Sequence, residues 1–123
     1  MSTENRIEQV TGETSTISVE SVKKHLAESY ELELSETETI VATYGETLRE
    51  YLQNLLQAVK EKNGEEGSAQ AHGLKGACLN LGLHEQASRA KRLEKELSQN
   101  SSAQYEAEVE QLILELRPLT DRV

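Results

Sequence analysis

The stretch Gln70-Ala71-His72-Gly73-Leu74-Lys75-Gly76-Ala77-Cys78-Leu79-Asn80-Leu81-Gly82 sorts into two faces when wound as a helix. Leu74, Cys78 and Leu81 form an apolar stripe with Ala71 and Ala77 beside it, the pattern of a helix laid on a core. His72, Lys75, Gly76 and Leu79 fall on a different face, at steps of three and four. His72 and Lys75 therefore point to solvent together. Gly82 suits the left-handed residue that ends a helix. The spacing predicts a helix from about Glu65 to Leu81.

The same periodicity continues on both sides. Upstream lies the longest predicted helix. It opens at Ser35, with Glu38 three residues on as a capping box, and stops near Asn63-Gly64. Its stripe is Ile40, Tyr44, Leu48, Tyr51, Leu55 and Val59. Before it, Val19, Val22, Leu26 and Tyr30 mark a helix from about Ser18 to Glu31. Downstream, Leu83, Ala87, Ala90, Leu93 and Leu97 line one side of a helix from about His84 to Gln99. A last helix is predicted after Ser101, where Gln104 completes a second capping box. It carries Tyr105, Val109, Leu112, Leu116 and Leu119, and Pro118 marks its end. No segment alternates like a strand. Loops of about two to five residues make successive helices antiparallel. The expected fold is all-α, an antiparallel up-down-up-down four-helix bundle with an additional N-terminal helix. Residues 1–16 are polar and aperiodic and read as a flexible N-terminal tail. The bundle is expected over 17–119, with a short C-terminal tail at 120–123.

The chain of 123 residues has no Trp, no Phe and four Tyr, so its core must be aliphatic. Thirteen basic and twenty-two acidic residues leave a net charge of −9, which disfavours nucleic acid and anionic membranes as partners. No apolar run approaches the roughly 20 residues of a membrane span, and the start is unlike a secretory signal. One cysteine, Cys78, excludes an internal disulfide. A cytoplasmic monomer is expected; the start permits either a free-standing protein, which Met1 mildly favours, or a domain of a larger hybrid kinase.

The face bearing His72 suggests phosphoryl chemistry. A free imidazole titrates near pH 6.5, so an exposed one is mostly neutral and nucleophilic at pH 7, and histidine can hold a covalent intermediate. A phosphoryl group on the ring needs a cation, and Lys75 lies one turn away. Two glycines inside the helix each cost about 1 kcal/mol relative to Ala. Gly76, one turn from His72 on the same face, leaves room for another molecule to reach the imidazole. Gly73 either thins the surface beside His72 or permits close helix packing. His25 and His84 lack ligand partners at metal-binding spacing, and no Gly-rich nucleotide loop is present. A phosphocarrier without kinase activity of its own is expected, binding no cofactor itself.

The run His72-x-Leu74-Lys75-Gly76, followed by Asn80-Leu81-Gly82, resembles the signature of histidine-containing phosphotransfer (HPt) domains. The likeness in helix order covers about residues 18–118. It implies a four-helix bundle with an exposed phosphorylated histidine midway along one helix. It also implies a shuttle of phosphoryl groups between receiver-domain aspartates. By position, His72 matches the phosphoacceptor, Lys75 the phosphoryl-stabilising lysine and Gly76 the glycine that admits the receiver. Gly73 and Cys78 stand where the family more often has Thr or Ser and a small residue. The implied partners are response-regulator receiver domains or a hybrid sensor histidine kinase, with Mg²⁺ on the receiver.

An antiparallel following helix is expected to bring Arg89 to Leu93 past His72. Arg89, Lys91 and Arg92 then make either a positive patch for an acidic receiver or an ordinary helix surface. Leu79 is either an exposed anchor for a partner or partly buried. The competing function is a helical adaptor in which His72 is incidental.

Overall fold

Ser18 starts the first helix: its backbone is extended, and its Oγ accepts a hydrogen bond from the Ser21 N–H at 3.1 Å. The structure, a computed structural model, describes residues 17–99 and 105–121. These form five helices, with no strand among the described residues: α1 Val19–Tyr30, α2 Leu34–Lys60, α3 Gly64–Asn80, α4 His84–Gln99 and α5 Glu106–Thr120. The predicted tail at residues 1–16 and the predicted capping box at Ser101 and Gln104 lie outside the described residues.

Helix ends follow local chemistry, with two departures from expectation. α2 begins at Leu34 instead of Ser35. Glu33 caps it, and the Glu33 N–H donates to Glu36 Oε1 at 2.8 Å, so a glutamate pair one turn earlier does the work assigned to Ser35 and Glu38. Asn63 caps α3 by accepting from the Glu66 N–H at 3.1 Å, and Gly82, with φ +77°, follows its end. α5 does not stop at Pro118. It runs on to Thr120, so the expected 120–123 tail gives up Thr120 to the helix and Asp121 to its cap. Proline removes one backbone donor and crowds the carbonyl four residues back. That carbonyl belongs to Leu114, an exposed residue, while Leu119 and Thr120 are buried and hold the final turn in place.

The core is aliphatic, as composition requires. Leu48, Leu55, Leu74, Leu93, Leu112 and Leu116 are each fully buried. Each such side chain stabilises the fold by about 2 kcal/mol relative to exposure. The stripe expected on α3 (Ala71, Leu74, Ala77, Cys78, Leu81) is buried throughout. Burial pushes the Cys78 thiol up to about 12.

α3 packs on both α2 and α4, α2 also packs on α5, and α1 lies against α2. Tyr44 of α2 meets Asn80 at the end of α3, where Asn80 Nδ2 donates to the phenol oxygen at 2.8 Å. Tyr51 meets Gly73, and Leu55 and Ala58 meet Gly67. The numbers rise on one helix as they fall on the other. Between α3 and α4, Gly67 lies against Leu97, and Ser68 Oγ donates to the Glu94 carbonyl at 2.8 Å.

A buried polar cluster ties α4 to α5. Glu115 accepts from Gln86 Nε2 at 3.0 Å, Arg89 Nη1 at 2.5 Å and Gln111 Nε2 at 3.2 Å. Burial alone pushes its carboxyl up, but these hydrogen bonds and the Arg89 charge outweigh that and hold it below the usual carboxylate range. The unfolded chain therefore takes up this proton first as pH falls. The stabilisation is complete above the ordinary value of 4.5 and is lost as pH drops through the lower folded value. Arg89→Ala leaves that carboxylate buried without its cation and is expected to cost about 2 kcal/mol at pH 7. Urea unfolding measures this, and the gap to the native chain should close in acid.

Candidate functional site

The buried stripe of α3 turns His72 outward, leaving its side chain 65 % exposed. His72 Nδ1 lies 3.0 Å from Glu94 Oε2 across the α3–α4 seam. Lys75 Nζ, one turn along α3, lies 3.3 Å from Glu94 Oε1. One carboxylate thus touches both residues singled out on the helix. Desolvation pushes the Glu94 carboxyl up, but hydrogen bonds from Lys75 and His72 and their charges prevail, and it sits below the usual carboxylate range. Glu94 is therefore an anion at neutral pH and only accepts hydrogen bonds. A hydrogen bond between them therefore needs the proton on Nδ1. Nε2 lies on the other side of a ring that is largely exposed.

Gly76 lies on open space: a Cβ built there meets nothing within 4 Å. Leu79, a further turn along, is 47 % exposed. It shares a shallow groove with Lys75, His84, Ala87, Ser88 and Lys91. His72, Lys75, Gly76 and Leu79 thus form one continuous surface.

Three residues expected at this surface lie elsewhere. A Cβ on Gly73 would come within 2.3 Å of Tyr51 Cε1, so the missing side chain accommodates the ring from α2 and does not thin the surface around His72. Arg89 turns to Glu115, and Arg92 pairs with Glu108 and Glu96. These two arginines bind α5 and α4 itself and form no positive patch beside His72. Of the basic cluster, Lys91 borders the groove. The reason is helical geometry. Ala90 and Leu93 face inward; Arg89 and Arg92 each precede one of them and fall on the α5 flank. Lys91 and Glu94 each follow one and fall on the α3 flank.

Glu94 is the site residue that the sequence reading missed. Its signal was its place directly after Leu93, combined with an antiparallel α3–α4 pairing. No group of three or more His, Cys, Asp or Glu suited to a metal occurs among the described residues. No described helix is long and apolar enough to cross a membrane.

The family model described as Hpt domain matches residues 39–121, from the first turns of α2 to the cap of α5. No curated protein and no solved structure matches. The matched span is more than half of the 123-residue chain and contains both helices that build the His72 surface. With an exposed histidine, a lysine one turn on and an all-helical frame, the chain belongs to the Hpt domain family, whose members carry phosphoryl groups on histidine in phosphorelays.

Proposed function

We propose that this protein is a phosphorelay intermediary. His72 accepts a phosphoryl group from the phosphoaspartate of a receiver domain or hybrid kinase and passes it to another response regulator. What carries the reading is the exposed His72 ring beside Lys75 and the open space at Gly76, within the span matched by the family. The Nε2 lone pair attacks phosphorus as the phosphorus–oxygen bond of the acyl phosphate breaks. The aspartate carboxylate leaves with the bonding electrons. Lys75 offers its ammonium to the phosphoryl oxygens as they move onto the ring. The carrier makes no phosphohistidine from ATP unaided, and the Mg²⁺ that the step needs belongs to the receiver. Leu79 and the groove toward Lys91 supply the docking surface. In this reading α2 to α5 are an up-down-up-down bundle, supported by the opposed pairing of α2 with α3, and the carrier works as a cytoplasmic monomer.

The test is chemical. After incubation with a ³²P-phosphorylated receiver and Mg²⁺, label is expected on this chain as an acid-labile, alkali-stable phosphate, and peptide mass spectrometry should place it on His72. Label on another residue, or none with any receiver of the same cell, overturns the proposal.

A further inference from the structure

We infer that the Tyr51 hydroxyl is a specificity contact for the receiver: its phenol, laid from α2 over Gly73 of α3, presents an unpaired O–H near His72 to a hydrogen-bond acceptor on the partner. This rests on the phosphocarrier reading and deepens it, by naming a contact that a receiver makes and a small phosphodonor does not.

The placement follows from Gly73. An ideal Cβ on that residue would lie 2.3 Å from Tyr51 Cε1, 2.4 Å from Cζ and 2.8 Å from the hydroxyl oxygen. These atoms are the outer edge of the ring. Tyr51 therefore reaches across from α2 and ends against the α3 backbone, in the volume that a side chain at position 73 would fill. A carbon–carbon bond of about 1.5 Å and a step of about 3.8 Å between successive Cα atoms put the hydroxyl oxygen within roughly 8 Å of the His72 Cα. Successive residues turn by about 100° around a helix. His72 leans to Glu94 on α4, and Gly73 leans to Tyr51 on α2.

The hydroxyl has no use inside the domain. Tyr44, two turns earlier on α2, shows what a used one looks like: its phenol oxygen accepts from Asn80 Nδ2 at 2.8 Å. No described residue hydrogen-bonds the Tyr51 hydroxyl. Among the described residues, no buried side-chain oxygen or nitrogen lacks a partner. The unpaired Tyr51 oxygen is therefore open to solvent, while its ring packs against the core. Phenylalanine would fill the same seam without a polar atom. An apolar body with a wet polar tip is the form in which tyrosine serves interfaces.

A docked receiver covers that tip. A specific interface takes about 800 Å² from each partner, a disc of about 16 Å radius. Centred on His72, it includes a group roughly 8 Å away. Leu79 gives the partner an apolar contact on the α4 side of α3, and the Tyr51 O–H gives it a polar one on the α2 side. The phenol donates, and a carbonyl or carboxylate oxygen of the receiver accepts. A receiver with no acceptor there strips water from the hydroxyl and returns nothing, so the contact favours some receivers over others.

Tyr51→Phe removes the hydroxyl and keeps the ring. Urea unfolding of this variant should match the native chain. Phosphoramidate, a small phosphodonor that needs no docking, should label His72 at the native rate. Transfer from a ³²P-phosphorylated receiver with Mg²⁺ should fall about fivefold in kcat/KM, the scale of one neutral hydrogen bond, with the change in KM and not in kcat. Titration with the unphosphorylated receiver should show binding weakened by the same factor. Native kcat/KM in Tyr51→Phe overturns the inference. So does an equal loss with phosphoramidate, which would place the effect on His72 itself, and so does a lowered urea midpoint, which would give the hydroxyl a partner inside the fold. Failure of the carrier reading looks different: the native chain then takes no label from any receiver.

Discussion

Gly76→Leu is expected to slow phosphoryl transfer from a receiver by at least about 100-fold, the loss of a well-packed contact of about 3 kcal/mol, while the protein stays folded. The two readouts separate because a side chain at Gly76 starts into open space. A Cβ built there meets nothing within 4 Å, so the first added carbon displaces no neighbouring side chain. The helix should gain about 0.5–1 kcal/mol, since Gly is among the poorest helix formers and Leu among the best. The new side chain instead fills the approach to His72, one turn away on the same face. Urea unfolding should show equal or higher stability, and phosphoramidate should still label His72. Only transfer from the bulky donor should collapse. Unimpaired transfer from a receiver would mean that a partner does not come close over this face.

The same substitution three residues earlier should have the opposite profile. Gly73→Leu is expected to destabilise the fold by about 3 kcal/mol, toward the upper end for inserting side-chain volume into a packed site. The first added carbon already falls 2.3 Å from Tyr51 Cε1 and 2.4 Å from Cζ. A tyrosine ring bends little, so it must rotate away and give up its packing between α2 and α3. Any helix-propensity gain, about 1 kcal/mol, is too small to offset this. Urea unfolding measures the loss. Tyr51→Ala should restore much of it in the double variant, because the overlap disappears with the ring. An additive double variant would place the clash elsewhere.

These two glycines show what the sequence carried and what it did not. The helical wheel placed both near His72 and could not tell which of them met a neighbouring helix. That depends on how α3 is rotated against α2, which Tyr51 fixes through contact and not through spacing. Elements with strong periodicity were legible: the buried stripe of α3 and the line Val109, Leu112, Leu116 and Leu119 of α5 came from pattern alone. Helix ends were less so, because Glu33 and Glu36 formed the capping pair in place of Ser35 and Glu38. At the site, His72, Lys75, Gly76 and Leu79 lie on one helix and could be read from it. Glu94 comes from another helix, and its contact depends on which flank of α4 faces α3. Reading the basic cluster as one patch failed for the same reason, since Arg89 and Arg92 lie on the flank opposite Lys91.

Cys78 sits in the core directly behind the His72 face, fully buried, with a thiol raised to about 12. Burial disfavours the thiolate that reagents attack, so at pH 7 the group stays a thiol. The native protein is therefore a silent background for thiol labelling. A cysteine introduced on the surface near Ser88 or Leu79 would be the reactive one, so a single fluorophore or spin label could report partner docking without first removing the natural cysteine.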